Sequence, residues 1–340
     1  EQSRATVGQV TADLLPTLGL DARASRSQSP GDQRFPGVDQ RSNRYTTSLG
    51  VSWELDLWGR LSDNRGAALA DLAATESDYH AARLSLAANS ARTAVTVAEL
   101  RLLRQLTEVD VAARSTQLDL LEKQLDRGID PEVAALDVSL GRTDLARARA
   151  DLAERQRLLD EARRSLETLM GGYPAGREPG LDRLPALKRG IPAGLPAALL
   201  VRRPDVLAAE YRLRATLQRE SAARKDFLPG IRLTGDRGFT TQDLAELISQ
   251  PSATWTIAGQ LTQPLFQGGL LRANLRGAKA RYEEALQNYA DTALTAFREV
   301  ETALAAEQFW NLQVGQLEKA LQEARTAESL ARGQYERGLV

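Results

Sequence analysis

Apolar and polar residues alternate one by one in short stretches of the chain and recur at steps of three and four through most of the rest. Residues 14–27 put Leu18, Leu20, Ala22 and Ala24 on one face of an extended segment and Thr17, Gly19, Asp21, Arg23 and Ser25 on the other. Residues 44–57 alternate likewise, with Leu49, Val51, Trp53, Leu55 and Leu57 on the apolar side. Successive strand side chains point to opposite faces, so each stretch predicts an amphipathic strand. The Pro, Gly, Asp and Asn of residues 28–43 predict the loop joining them into a hairpin. Each strand is long enough to cross a bilayer when tilted.

From Leu57 to Arg127 the period changes. This stretch has no proline, and its only glycines are Gly59 and Gly66. Leu100, Leu103, Leu106 and Val109, then Leu118, Leu121 and Leu125, recur at helical steps and predict one helix. At 1.5 Å per residue it would be a rod of roughly 105 Å. Gly128 and Pro131 break it, and a second helix is predicted over 131–170, giving an antiparallel coiled-coil hairpin. A Gly- and Pro-rich connector follows from residue 171. Pro204 suits a first helical position and Asp205 a positive helix N-terminus, so a further helix is predicted over 204–226.

The pattern then returns. "DFLPGIRLTG" at 226–235 echoes "DLLPTLGLDA" at 13–22, and "TWTIAGQLTQPLF" at 254–266 echoes "LGVSWELDLW" at 49–58. A second proline-free helix spans 269–337 and ends in "QYERGLV", the counterpart of "QLDRGID" at 124–130. The offsets are 213 (226 − 13) and 210 (338 − 128), so one unit of strand, loop, strand and long helix is used twice. The predicted organisation is a first repeat, 1–190, and a second, 191–340. The first holds a hairpin at 14–57, a helical hairpin at 58–170 and a connector at 171–190. The second holds a helix at 204–226, a hairpin at 229–266 and a long helix at 269–337, without a returning helix.

Alternation alone leaves two readings open: an antiparallel sheet on a soluble core, or a closed barrel that is apolar outside and polar in its lumen. Three features favour the barrel. Asp21, Arg23, Glu54 and Asp56 fall on the inward face and suit a wet lumen. Trp53, Trp58, Trp255 and Phe266 lie on or at the ends of the strands, as an interfacial aromatic girdle would. Four strands cannot close around water, so several chains would share one barrel. In the third strand Arg237 falls on the face of Ile231 and Leu233, and is expected to lie beyond the membrane.

Composition narrows the chemistry. The net charge of −1 provides no field to recruit nucleic acid, and the 26% charged residues are of mixed sign, as on solvated helices. Only 5% of residues are aromatic, which favours helices and coiled coils over a bulky core. With no cysteine and a single histidine, His80, a metal site lacks ligands. No G-x-G-x-x-G, P-loop or H-E-x-x-H occurs, and His80 on a long helix cannot build a triad, so neither enzyme activity nor a cofactor is expected. The longest apolar runs, such as "AALLV" at 197–201, are far shorter than a membrane-spanning helix.

"GLPAALLVRRPDVLAAEYRLRAT" at 194–216, followed by "ARKDFLPGIRLTG" at 223–235, resembles the signature of the TolC-like outer-membrane efflux proteins, most closely their OprM/NodT branch. "SWELDLWGRL" at 52–61 is similar to that branch's strand-to-helix junction, and the resemblance runs over nearly the whole chain. It implies a mainly α fold with membrane β: a homotrimer in which each chain gives four strands to a twelve-stranded barrel in the outer membrane, above a periplasmic α-barrel of long helices. It implies a passive duct for drugs or other small toxic compounds, docked to a periplasmic adaptor and an inner-membrane pump of the RND type.

Residue by residue, Gly128 and Gly338 match the glycines of the periplasmic tip turns that meet the adaptor, with Arg127, Ile129, Arg337 and Leu339 beside them. Tyr335 aligns with a tyrosine that holds the aperture shut. Asp137 is offered as the acidic residue after the first turn, although it lies nine residues past the glycine where six is usual. Arg202 and Arg203 are expected to brace a helix start. The branch begins with a signal peptide and a lipidated cysteine, so the chain is expected to be shortened at both ends, with a lipid anchor in the full-length protein. The alternative is a periplasmic coiled-coil scaffold or adaptor-like protein; the repeated hairpin-plus-helix unit favours the channel.

Overall fold

The computed structural model describes residues 1–29, 40–127, 131–181, 183–185, 202–248 and 250–336. Four strands, β1 (Thr17–Ser29), β2 (Gln40–Leu55), β3 (Gly230–Thr241) and β4 (Ala253–Thr262), form one antiparallel sheet in the order β1-β2-β3-β4. Five α-helices are described with it: α1 (Gln2–Ala12), α2 (Arg60–Asp126), α3 (Pro131–Leu169), α4 (Pro204–Lys225) and α5 (Leu270–Glu336). Strand, strand and long helix occur twice in this order, and α2 and α5 are each 67 residues long. None of the described helices is long and apolar enough to cross a membrane.

The chain forms two compact units, one of residues 1–79 and 193–340 and one of residues 80–192. The first holds the sheet, the start of α2, and α1, α4 and α5. Apart from Leu61 at the start of α2, its buried apolar side chains are small: Ala67, Ala68 and Ala74 on α2, Val206, Ala208, Ala215 and Ala222 on α4, Ala278 and Ala296 on α5. Alanine lets helix backbones approach closely, so charge rather than bulk fixes the pairing of α2 with α4. Lys225 Nζ meets Asp63 at 2.5 Å, and Arg219 and Arg212 pair with Asp71 and Asp78. The acids step along α2 as the bases step back along α4, which sets an antiparallel register.

Both ends of α4 suit their surroundings. Pro204 opens the helix, Asp205 lies in its first turn, and Arg224 and Lys225 lie in its last, each complementing the macrodipole. Arg203 braces this start as expected, pairing with both Asp205 and Glu299 of α5 at 2.7 Å. Arg202 is exposed.

In the second unit the rest of α2 pairs with α3. Val97, Leu159 and Leu166 form its core, with Ala94, Leu100 and Ala162 against them. Arg142 of α3 reaches Glu122 of α2 at 2.9 Å. The α3 helix stops at Gly171, whose φ of 79° admits the left-handed turn, and Gly172 N–H donates to the Glu167 carbonyl at 2.8 Å. The Glu167 side chain, buried, turns the connector back by accepting the amides of Gly176, Arg177 and Glu178 at 2.7, 2.7 and 2.9 Å.

Candidate functional site

The ladder aligns residues across all four strands. Leu18 pairs with Val51, Val51 with Gly235, and Gly235 with Ile257. One step outward, Leu20, Leu49, Arg237 and Trp255 form a row. One step inward lie Trp53, Leu233 and Gly259, then Leu55, Ile231 and Leu261. All these side chains share a face, because alternation sends every second residue the same way. The other face carries Asp21, Arg23, Ser48, Ser52, Glu54, Arg232, Thr234, Asp236, Thr256 and Gln260.

The apolar face is bare. Many of its large side chains are exposed, from 38% at Trp53 and Leu233 to 80% at Ile257, and Leu55, Ile231, Tyr45 and Phe239 are half-buried. A soluble chain rarely leaves a continuous apolar surface of this kind in water. From Leu55 to Tyr45 the strand covers ten residues (55 − 45), about 33 Å along its axis and roughly 25 Å in height at a 40° tilt. That matches the apolar band of an outer-membrane barrel, about 25 Å tall. Among the described residues neither β1 nor β4 has a strand on its outer edge. In hydrocarbon such an edge must be paired, since no water can satisfy its backbone.

At the inner end the strands turn into helices through a built junction. Gly59, at φ 75°, carries the chain from β2 into α2, and Gly268 and Gly269, at φ 59° and 88°, carry it from β4 into α5. The Trp58 indole N–H donates to the Pro229 carbonyl at 2.7 Å, and that of Trp53 to the Leu14 carbonyl at 3.0 Å. Arg60 reaches Glu54 at 2.6 Å and Asp226 at 3.8 Å, while Arg232 joins Glu54 at 3.3 Å. Lys225 also donates to the Gly59 carbonyl at 3.2 Å. Within "SWELDLWGRL", the Trp58 indole, the Arg60 guanidinium and the Gly59 carbonyl thus bind the α4-to-β3 turn.

Of the lumen residues predicted, Asp21, Arg23 and Glu54 share the polar face, and Asp56 does not belong with them. The strand ends at Leu55, and Asp56 instead accepts the amides of Leu61 and Ser62 at 2.9 and 2.8 Å and the Ser62 hydroxyl at 2.6 Å. Burial pushes its carboxyl up, but those donors and the Arg60 charge outweigh burial and leave it below the usual carboxylate range. The free amides at a helix start attract an anion more strongly than the alternation holds a strand.

Arg237 also departs from expectation: it stands level with Leu49 and Trp255, not past the end of the apolar face. Among the aromatics, Trp53 and Trp255 lie on that face, whereas Trp58 and Phe266 lie just beyond the strand ends, Phe266 88% exposed. Tyr45 and Phe239, at the outer end of the face, were not singled out from sequence, and neither was Arg232, although strand alternation places all three.

At the far end of α2, Arg127 is exposed in the closing turn. Gly128, Ile129, Arg337, Gly338, Leu339 and the side chain of Tyr335 lie outside the described residues. Asp137 is half-buried and lines, with Arg114 and Asp144, a cleft of about 280 Å³ between α2 and α3. No cluster of acidic or histidine side chains among the described residues could hold a metal ion.

The family model described as outer membrane efflux protein matches residues 1–172 and 195–340. The chain is similar to the outer membrane protein OprJ of Pseudomonas aeruginosa, 34% identical over 344 positions that cover 100% of this chain and 71% of that one. It is similar also to the solvent efflux pump outer membrane protein SrpC of Pseudomonas putida, at 32% identity over 100% of this chain and 72% of SrpC. Among solved structures, the outer-membrane channel OprN superposes with a TM-score of 0.90 at 29% identity, covering 100% of this chain and 76% of that one.

Proposed function

This chain belongs to the outer membrane efflux protein family, and we propose from that premise how its sheet and helices build an export duct. It is the outer-membrane channel component of a tripartite efflux system, seated in the outer membrane and extending into the periplasm. The observation that carries the assembly is the sheet: apolar on one face, polar on the other and, among the described residues, unpaired at both edges. Three copies joined edge to edge give twelve strands. That number lies between the eight whose side chains fill the interior and the sixteen to eighteen of a wide porin channel. Leu20, Leu49, Val51, Ile257 and Leu261 then face lipid, and Asp21, Arg23, Glu54 and Arg232 face the lumen.

The long helices of both repeats, 1–190 and 191–340, form the wall of the periplasmic tunnel. The tip turns at Arg127, Gly128 and Ile129 and at Arg337, Gly338 and Leu339 dock a periplasmic adaptor linked to an RND-type pump, and Tyr335 and Asp137 frame the aperture. Such a duct performs no chemistry; it passes drugs or other small toxic compounds, and selection falls to the pump.

Extracted from outer membranes in mild detergent, the full-length product is expected to run as a trimer and to restore dye export to cells lacking their own outer-membrane channel. A monomer soluble without detergent would overturn this and leave a coiled-coil scaffold in its place.

A further inference from the structure

Among the described side chains, strand alternation and the ladder register place two charged residues on the apolar face, and both are arginines: Arg237 and Arg26. No strand position on that face is acidic, whereas the opposite face mixes Asp21, Glu54 and Asp236 with Arg23, Arg44 and Arg232. Arg237 is exposed, and it has no hydrogen bond or ion pair with any described residue. It stands between Leu49 and Trp255, with Phe239 in the next row and Tyr45 in the one after; Arg26, exposed, follows beyond them.

An unpaired arginine on the lipid face of a barrel costs roughly 2–4 kcal/mol at mid-depth and about 0–1 near the interface. Tyrosine concentrates at headgroup level, so Tyr45, two rows farther out at the end of the apolar band, marks the level toward which the Arg237 side chain extends. A guanidinium held there without a carboxylate partner among the described residues needs an anion, and its planar fork matches a phosphate through two parallel hydrogen bonds.

We propose that Arg237, supported by Arg26, forms a binding site for the phosphate of an anionic lipid headgroup on the outer surface of the barrel. The site rests on the membrane-barrel reading above. The Leu20, Leu49 and Ile257 side chains beside it hold the lipid's acyl chains, which makes the ligand a lipid and not free phosphate. The lipid would thereby fix the depth of the barrel at its outer rim.

The test uses the full-length trimer in phosphatidylcholine vesicles containing a minor fraction of phosphatidylglycerol, with dibrominated acyl chains on one lipid or the other to quench tryptophan. A Trp255→Phe control identifies the reporter. The wild type is expected to enrich brominated phosphatidylglycerol at Trp255 at least three-fold over brominated phosphatidylcholine. Arg237→Gln should bring that ratio to about one, and Arg237→Lys should keep a reduced preference, both as intact trimers. An equal ratio in the wild type, or an unchanged ratio in Arg237→Gln, overturns the site. Loss of the preference on adding millimolar inorganic phosphate at constant ionic strength assigns the arginine to a free anion and overturns the lipid. If neither brominated lipid quenches any tryptophan, the chain is not in the bilayer and the barrel reading itself fails.

Discussion

The indole nitrogen of Trp58 lies 2.7 Å from the carbonyl oxygen of Pro229, a residue 171 positions later in the chain. One hydrogen bond thereby joins the exit of β2 to the entry of β3, across the seam between the two repeats. It is flanked by the Glu54, Arg60 and Arg232 pairs. Trp58→Phe keeps most of the apolar body and removes the donor, so it should cost about 1 kcal/mol of junction stability. The expected result is a lower melting temperature of the detergent-solubilised trimer, with export retained at growth temperature.

The two faces of β4 should answer oppositely to the same charge. Ile257→Arg places a guanidinium on the apolar face, level with Val51 near the middle of the band, and should cost roughly 2–4 kcal/mol. Heat-resistant trimer in the outer membrane should fall accordingly. The neighbouring Thr256→Arg points to the other face, so assembly should survive while single-channel conductance and ion selectivity change. Equal tolerance of both substitutions would contradict a lipid-facing surface.

A side chain at Gly238 has no room. A β-carbon there would overlap the Thr47 carbonyl oxygen and come within 2.6 Å of the Ser48 α-carbon. Both obstacles are backbone of the neighbouring strand, which cannot swing aside as a flexible side chain would. Gly238→Ala should therefore cost about 1–3 kcal/mol or more, as overpacking does, and reduce folded trimer on unheated gels.

Glu167 supplies a pH response in the connector. Burial raises its carboxyl, but the amides of Gly176, Glu178, Arg177 and Ala175 more than offset that and hold it below its ordinary value of 4.5. A lowered native value means that the unfolded connector takes up the proton first as pH falls. The stabilisation is complete above about 4.5 and is lost as pH drops through the native value. Proteolysis within residues 171–181 should thus accelerate in acid. Glu167→Gln should show faster cleavage already at neutral pH and no acid step. A wild-type cleavage rate flat from pH 6 to pH 3, measured with an acid-tolerant protease, would contradict this role.

Strands and long helices were legible because their periods differ: two for the hairpins, and three to four for the proline-free runs ending near Arg127 and Arg337. The boundary at Asp56 was not, since its carboxylate continues the alternation of Ser52 and Glu54 while binding helix amides. Nor did the sequence reveal that Asp63, Asp71 and Asp78 pair with Lys225, Arg219 and Arg212, because pairs 134 to 162 residues apart leave no local signal. The face of Arg237 could be read, but its height required the register with Leu49 and Trp255. The crowding at Gly238 is visible only once β2 lies beside it.

The outer edges of β1 and β4 differ in sequence, so in the proposed trimer copies of this chain would join head to tail. A head-to-tail contact has no built-in end; it continues into a filament unless the turn added by each copy divides the circle. The twist and curl of four strands therefore set how many chains make a ring. A substitution that flattened the sheet, without weakening any contact between neighbours, would leave the last pair of edges unable to meet.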